Sequence, residues 1–353
     1  VTALAAEAAA RLILEQVLPL TPVRRPLADC RGLVLAEDVL APIAVPPWDN
    51  SAMDGYALRG EDSRAGATLR VIEEVRAGGF PTKRVGPGEA TRLFTGAPIP
   101  DGADTVIRQE DTTANAGTVQ IVVPPAAGKN VRKRGEDLSP GATAVARGLE
   151  LTAARLGVLA SVAHAEPLVH PAPRVALLAT GDEVVKLDRR SEILAGKKIA
   201  SSNTYALAAA IAEAGGIPVD LGIASDTKDA VRERLRAAGD ADLIVTTAGV
   251  SVGDHDLVRD ALTALGGTIT FSRIRIRPGG PLNFGSLKGV PWIGLPGNPV
   301  SSLVTFELFA RPAIRRLAGQ RLPFRRSIPV VTAEALSLGP PLRHFLRVTL
   351  TPT

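Results

Sequence analysis

The stretch RVALLATGDE (residues 174–183) decides the fold, because a strand-like apolar run stops at a turn of short polar residues. The same grammar repeats downstream. A helix over 203–214, closed by Gly215, precedes the strand IPVDLGIA (217–224), and a helix near 228–238 precedes DLIVTTA (242–248). A helix near 256–265, the strands TITFSRIRI (268–276) and VPWIGLP (290–296), and a long helix over 299–318 complete the series. Alternation of this kind predicts a doubly wound, mostly parallel α/β domain.

Outward from that core, residues 1–18 (VTALAAEAAARLILEQVL) carry Glu7, Arg11 and Glu15 at helical spacing, which reads as an amphipathic helix rather than a leader or a membrane span. Pro19, Pro22 and Pro26 end it, a short strand is expected over 33–39, and the Pro-rich 41–60 must be extended. Between residues 69 and 145, short β-type runs (LRVIEEV, EATRLF, DTVIRQED, TVQIVV, ATAVA) alternate with Gly- and Pro-containing turns, as in an all-β domain. Helix returns at 152–159, and HPAP (170–173) makes a stiff joint. The expected division is therefore an elongated helical/linker domain (1–45 plus 138–170), a β domain (46–137), the α/β domain (171–318) and a short C-terminal β region (319–353).

The chain has 353 residues, of which 45% are hydrophobic and 3% aromatic, so its cores must be built mainly from Ala, Val, Leu and Ile. A net charge of +5 permits anionic ligands but is small for a dedicated nucleic-acid binder. One cysteine, Cys30, excludes an internal disulfide and a CxxC zinc site, which points to the cytoplasm. No apolar run reaches bilayer length.

In an open α/β sheet ligands bind beyond the carboxyl ends of the strands, and four loops there are rich in short polar residues. They hold Thr180-Gly181-Asp182-Glu183, then Asp226 with Thr227, then residues 249–256 (GVSVGDHD), then Pro296-Gly297-Asn298-Pro299. Carboxylates from three of them suit Mg²⁺, which takes few protein oxygens and keeps sites for water and phosphate. Helix capping is the competing reading, evenly balanced for Asp226. Asn298 before Pro299 reads as an N-cap with proline in the first turn, an arrangement that favours an anion. Arg273, Arg275 and Arg277 alternate along a strand, either as a solvated edge or as a grip on a tetrahedral oxyanion.

The string 249–253 (GVSVG) also matches a serine nucleophile elbow. No Asp follows Asp260, so a hydrolase triad would have to recruit Glu307 or Glu334 with His344. Walker, dinucleotide-binding and zincin motifs are missing from the sequence.

Taken in order, SAMDGYA (51–57), FTGAPIPDGADTVI (94–107), NVRKRGEDL (130–138), TGDE (180–183), AGVSVGDHD (248–256), RPGGP (277–281) and GLPGNPVSS (294–302) resemble the molybdopterin molybdenumtransferase family, whose eukaryotic relatives include the gephyrin E domain. The resemblance implies an enzyme that takes adenylylated molybdopterin and molybdate, releases AMP and leaves molybdenum on the dithiolene, with Mg²⁺ as cofactor. Carried over by residue, it implies functional roles for Asp54, Thr95, Asp137, Glu183, Asp226, Asp256 and Arg277, with Glu183 and Asp256 as metal ligands. Gly181, Asp182, Gly249, Ser251, Gly253, Pro296, Gly297, Asn298, Pro299 and Ser301 would line the pterin or its phosphates. It also implies a homodimer whose site is shared between subunits, and a molybdopterin adenylyltransferase as upstream partner; neither nucleic acid nor membrane is expected.

Two departures stand out. The family's KPGKP is RPGGP here, with Gly280 replacing the second lysine, and the C-terminal β region is shorter than the family's. Two alternatives follow from the same resemblance: a molybdopterin adenylyltransferase, against which the long N-terminal half speaks, and a noncatalytic molybdopterin-binding scaffold. Molybdate and tungstate, both tetrahedral dianions, are not distinguished by these residues.

Overall fold

The computed structural model describes residues 3–248, 256–339 and 341–351. The chain divides into two compact units, one of Val1–Glu37, Arg147–Ala153 and Glu166–Thr353, the other of Asp38–Ala146 and Ala154–Ala165.

The first unit is built on a six-stranded sheet in the order Ile217–Ala224, Arg174–Thr180, Leu243–Thr247, Val290–Leu295, Asn283–Leu287, Thr268–Phe271. The first four strands are mutually parallel, Asn283–Leu287 runs against them, and Thr268–Phe271 pairs antiparallel with Asn283–Leu287. Successive residues of a strand face opposite sides, so Val175 and Leu177 enter one core while Ala176 and Leu178 enter the other. Helices Ala6–Gln16 and Ser202–Glu213, with the long C-terminal helix, cover the first face. Helices Lys228–Arg236 and Leu257–Ala264 cover the second. From Arg174–Thr180 the chain steps to one neighbour and then crosses to the other, so the topological switch point lies between Arg174–Thr180 and Leu243–Thr247.

Three expected elements differ from what is observed. The helix expected over 299–318 is α-helical at Pro299–Thr305, widens to a π-turn at Phe306–Ala310 and resumes as Arg311–Leu317. Pro312 has no N–H for the carbonyl four residues earlier, and the wider turn accommodates the gap. TITFSRIRI leaves the sheet after Phe271; Arg273, Arg275 and Arg277 are exposed while Ile274 and Ile276 enter the core. Backbone bonds tie this exit strand first to Leu4 and then to residues 343–345. In the C-terminal region the described residues form one two-residue strand, Arg343–His344, parallel to Ile276–Arg277.

The second unit carries a six-stranded sheet ordered Thr105–Arg108, Gly55–Leu58, Glu89–Leu93, Thr68–Val75, Thr118–Ile121, Thr112–Asn115. One of its faces buries Leu58, Ile107 and Ile121, and the other Ala57, Leu93 and Val106. Gly55 is required by contact, since a Cβ there would lie 1.9 Å from the Ile107 carbonyl oxygen.

Candidate active site

At the switch point of the α/β unit, a cavity of about 190 Å³ opens among Thr180, Glu183, Ser201, Asn203, Thr247, Gly297 and Pro299. Two of the expected carboxylates meet at the same strand ends, Asp182 lining a separate cavity of about 380 Å³. The Asp182 amide donates to Asp226 Oδ2 at 3.3 Å and the Asp226 amide to Asp182 Oδ1 at 3.1 Å, a reciprocal clasp between the first and second strand-end loops. Each side chain retains one oxygen outside the clasp. Asp226 is therefore not a helix cap; Thr227 fills that position, accepting from the Ala230 amide. Glu183 is exposed and folds back over Gly181, where a Cβ would lie 2.8 Å from its carboxylate and φ is +133°. Only glycine permits that arrangement.

The fourth loop behaves as its sequence implies. Asn298 Oδ1 accepts from the amides of Val300 and Ser301, with Pro299 in the first turn. Gly297 lies flat against Ala248, whose Cβ would be 3.1 Å from one added at 297. Ala248 itself has φ +66°, a conformation that favours glycine.

Asp256 is placed differently from the other acids. It is 3% exposed, caps helix Leu257–Ala264 by accepting from the Arg259 amide at 2.9 Å, and accepts from Asn283 Nδ2 at 3.0 Å through its second oxygen. Burial raises its carboxyl above the ordinary range, against the opposing pull of the Arg259 amide. Both oxygens are committed within the fold. Arg277 is exposed on the Ile276–Arg277 strand, with its guanidinium beside Gly339. Gly249, Ser251 and Gly253 lie outside the described residues.

The β unit contributes a second constellation. Asp54 Oδ1 accepts from both the amide and the hydroxyl of Thr95, each at 2.7 Å. These two bonds hold the Asp54 carboxyl below the ordinary range. Arg92, whose guanidinium lies 4.9 Å from the Tyr56 ring centroid and 5.2 Å from that of Phe94, donates to the Gly55 carbonyl at 3.1 Å and so braces the same turn. Asp137 is exposed in a loop pinned by Asp49, which accepts from the Arg134 amide and the Lys133 ammonium. Those partners, the amide first, keep the Asp49 carboxyl low.

Sequence reasoning missed Asn203, Thr247 and Arg92. Asn203 lies at the start of an ordinary-looking helix, Thr247 at the end of an apolar strand, and Arg92 inside a β run, and none of those patterns marks a functional side chain. A larger cavity, about 760 Å³ and lined by Leu14, Phe309, Phe324 and Phe345 among others, shares no residue with this rim.

Among the described residues no group of three or more His, Cys, Asp or Glu comes together to hold a metal ion. No described helix is long and apolar enough to cross a membrane.

Residues 4–163 match the family model described as MoeA N-terminal region (domain I and II), and residues 176–316 match the probable molybdopterin binding domain. The chain is similar to Molybdopterin molybdenumtransferase 2 of Mycobacterium tuberculosis strain H37Rv, 38% identical over 352 residues, covering 96% of this chain and 86% of that protein. A Molybdopterin molybdenumtransferase of Nostoc sp. is 39% identical over 297 residues, covering 82% of this chain and 67% of its own. Among solved structures, a molybdopterin biosynthesis moeA protein from Pyrococcus horikoshii OT3 superimposes with a TM-score of 0.75 at 28% identity, covering 91% of this chain and 81% of that one. With both halves matched in order and relatives of this identity spanning most of its length, the chain belongs to the molybdopterin molybdenumtransferase family.

Proposed function

We propose that this chain transfers molybdenum from molybdate to adenylylated molybdopterin and releases AMP, in the biosynthesis of the molybdenum cofactor. The observation that carries the reading is the switch-point cavity that Glu183, Asn203, Thr247 and Gly297 line at the strand ends of the α/β unit, in a chain whose residues 4–163 also match the N-terminal family region. The N-terminal match favours the transferase over an adenylyltransferase, whose likeness to this chain covers only the α/β part.

In the proposed reaction the anhydride linking the pterin phosphate to AMP is hydrolysed, one P–O bond breaking as water supplies the new oxygen and AMP departs. At the dithiol two Mo–S bonds form as one molybdate oxygen leaves as water with the two thiol protons. The residues act mainly by position and charge. The 296–298 turn faces phosphate oxygens with backbone donors, and Arg277 offers a planar fork to an oxyanion. Asp54, held low by Thr95, is anionic at neutral pH and available to orient a proton-bearing ligand.

The donor set fits Mg²⁺ in its usual phosphate-assisted mode. The uncommitted oxygens of the clasped pair Asp182 and Asp226 would hold it, with phosphate and water completing the shell. Bound there, the ion would neutralise phosphate charge. Asp256, with both oxygens engaged, fits a structural role better than a ligand role. A cytoplasmic homodimer is the assembly this reading expects, and sedimentation of the purified chain checks it.

The test is to incubate the protein with adenylylated molybdopterin and Mg²⁺, with and without molybdate, and to follow AMP and metal-loaded cofactor together. Molybdate-dependent appearance of both is expected, and chelation of Mg²⁺ should suppress it. ATP consumption with molybdopterin alone would instead mark an adenylyltransferase, and folded protein giving neither product would mark a scaffold.

A further inference from the structure

We propose that Asn203 is a positioning residue that sets the orientation of the 296–298 turn toward the anionic part of the substrate. The inference rests on the reading of the switch-point rim as the molybdopterin phosphate site. Asn203 Nδ2 donates to two oxygens, Thr247 Oγ1 at 2.9 Å and the Gly297 carbonyl at 2.8 Å. A carbonyl can only accept, so the amide nitrogen must face this way. Thr247 Oγ1, having accepted from Asn203, donates to the Pro296 carbonyl at 3.3 Å. One side chain from the helix start, one from a strand end and two consecutive carbonyls of the fourth loop thus form a single hydrogen-bonded knot.

The knot fixes more than the carbonyls. In a planar trans peptide the N–H points opposite to the C=O, so holding the Pro296 and Gly297 carbonyls inward turns the Gly297 and Asn298 amides outward. Those two amides have no hydrogen-bond partner among the described residues. Successive free amides form a concavity suited to an anion. Gly297 allows the turn to close because a Cβ there would press on Ala248 at 3.1 Å. Asn203 touches backbone and Thr247 in this arrangement, and its effect on the substrate passes through the turn.

The test compares wild type with Asn203→Ala and Asn203→Asp, the second keeping size and shape while removing the donor that the Gly297 carbonyl requires. Equilibrium binding of molybdopterin is measured alongside KM and kcat for AMP release and the melting temperature. Both variants should bind about tenfold more weakly and show a matching rise in KM, with kcat within about twofold and melting unchanged, because a loosened turn weakens ground-state and transition-state binding alike. Thr247→Val, which removes the bond to the Pro296 carbonyl and one of the two acceptors of Asn203 but leaves the Asn203–Gly297 bond, should weaken binding about threefold and serves if the Asn203 variants do not fold. Variants that bind like wild type overturn the positioning role while leaving the functional reading intact. A fall in kcat at unchanged KM, or a drop in melting with unchanged affinity, overturns it as well. Failure of wild type to bind molybdopterin removes the functional reading and this inference with it.

Discussion

Asp54 in the β unit and Asp256 in the α/β unit are the same residue type in opposite environments. Asp54 is held by two short bonds from Thr95 through one oxygen, leaves the other uncommitted, and its carboxyl is lowered. Asp256 is buried, engages a helix amide with one oxygen and Asn283 with the other, and its carboxyl is raised. A motif match treats the two alike. Their surroundings differ in what they leave open: one oxygen of Asp54 has no partner among the described residues, whereas both oxygens of Asp256 are bonded within the fold.

The sharpest way to break this contrast is to remove each carboxylate. Asp54→Asn should abolish at least 99% of molybdate-dependent AMP release, about a hundredfold loss typical of a positioned charged group, while melting stays within a few degrees. A variant retaining most of its activity would move Asp54 out of the machinery. Asp256→Ala should instead cost about 2–4 kcal/mol in denaturant unfolding, from a lost cap and an orphaned Asn283. Asp256→Asn should recover most of that stability, since asparagine caps well and Asn283, whose Oδ1 has no partner, can turn over to accept from the new amide.

Acid titration of stability sharpens the same comparison. In the window below the ordinary carboxylate value, unfolded Asp54 binds protons that the folded residue refuses, so its contribution is present above that window and is lost as pH falls. For Asp256 the folded state binds the proton more tightly, so its contribution declines as pH rises through the window above the ordinary value. Unfolding curves of Asp54→Asn and Asp256→Asn against pH should therefore depart from wild type with opposite slopes.

Smaller effects are expected in the loops. Beside Thr95 the left-handed position is filled by Gly96, with φ +85°, whereas in the α/β unit Ala248 adopts φ +66°. Ala248→Gly should stabilise the protein by about 1 kcal/mol in thermal unfolding, the usual relief for a residue with a Cβ in that region. Gly280 has ordinary space, a Cβ there meeting the nearest carbonyls at 3.5 Å. Gly280→Lys should fold normally and tighten binding of the dianionic substrate severalfold in low salt, the effect fading as salt is added.

The α/β core was legible because buried parallel strands and amphipathic helices write their period directly into residues such as Val175, Leu177 and Ile211. The break at Phe306–Ala310 was foreshadowed only by Pro312, which marks a defect in a helix without saying whether the chain bends, ends or widens. Capping was ambiguous for a concrete reason: Asp226 and Thr227 are adjacent and both are good caps, and only the clasp with Asp182 separates them. The Asn203 knot was invisible because it joins residues 44 and 94 positions apart, through atoms that every asparagine and every carbonyl possess.

The most direct measurement of the central claim is a side-chain carboxyl titration of Asp54 and Asp256 by carbon-13 NMR on selectively labelled wild-type protein. The account predicts Asp54 titrating below the ordinary aspartate value of 3.8 and Asp256 above it. Both carboxyls titrating at the ordinary value, or Asp256 titrating below Asp54, would contradict it.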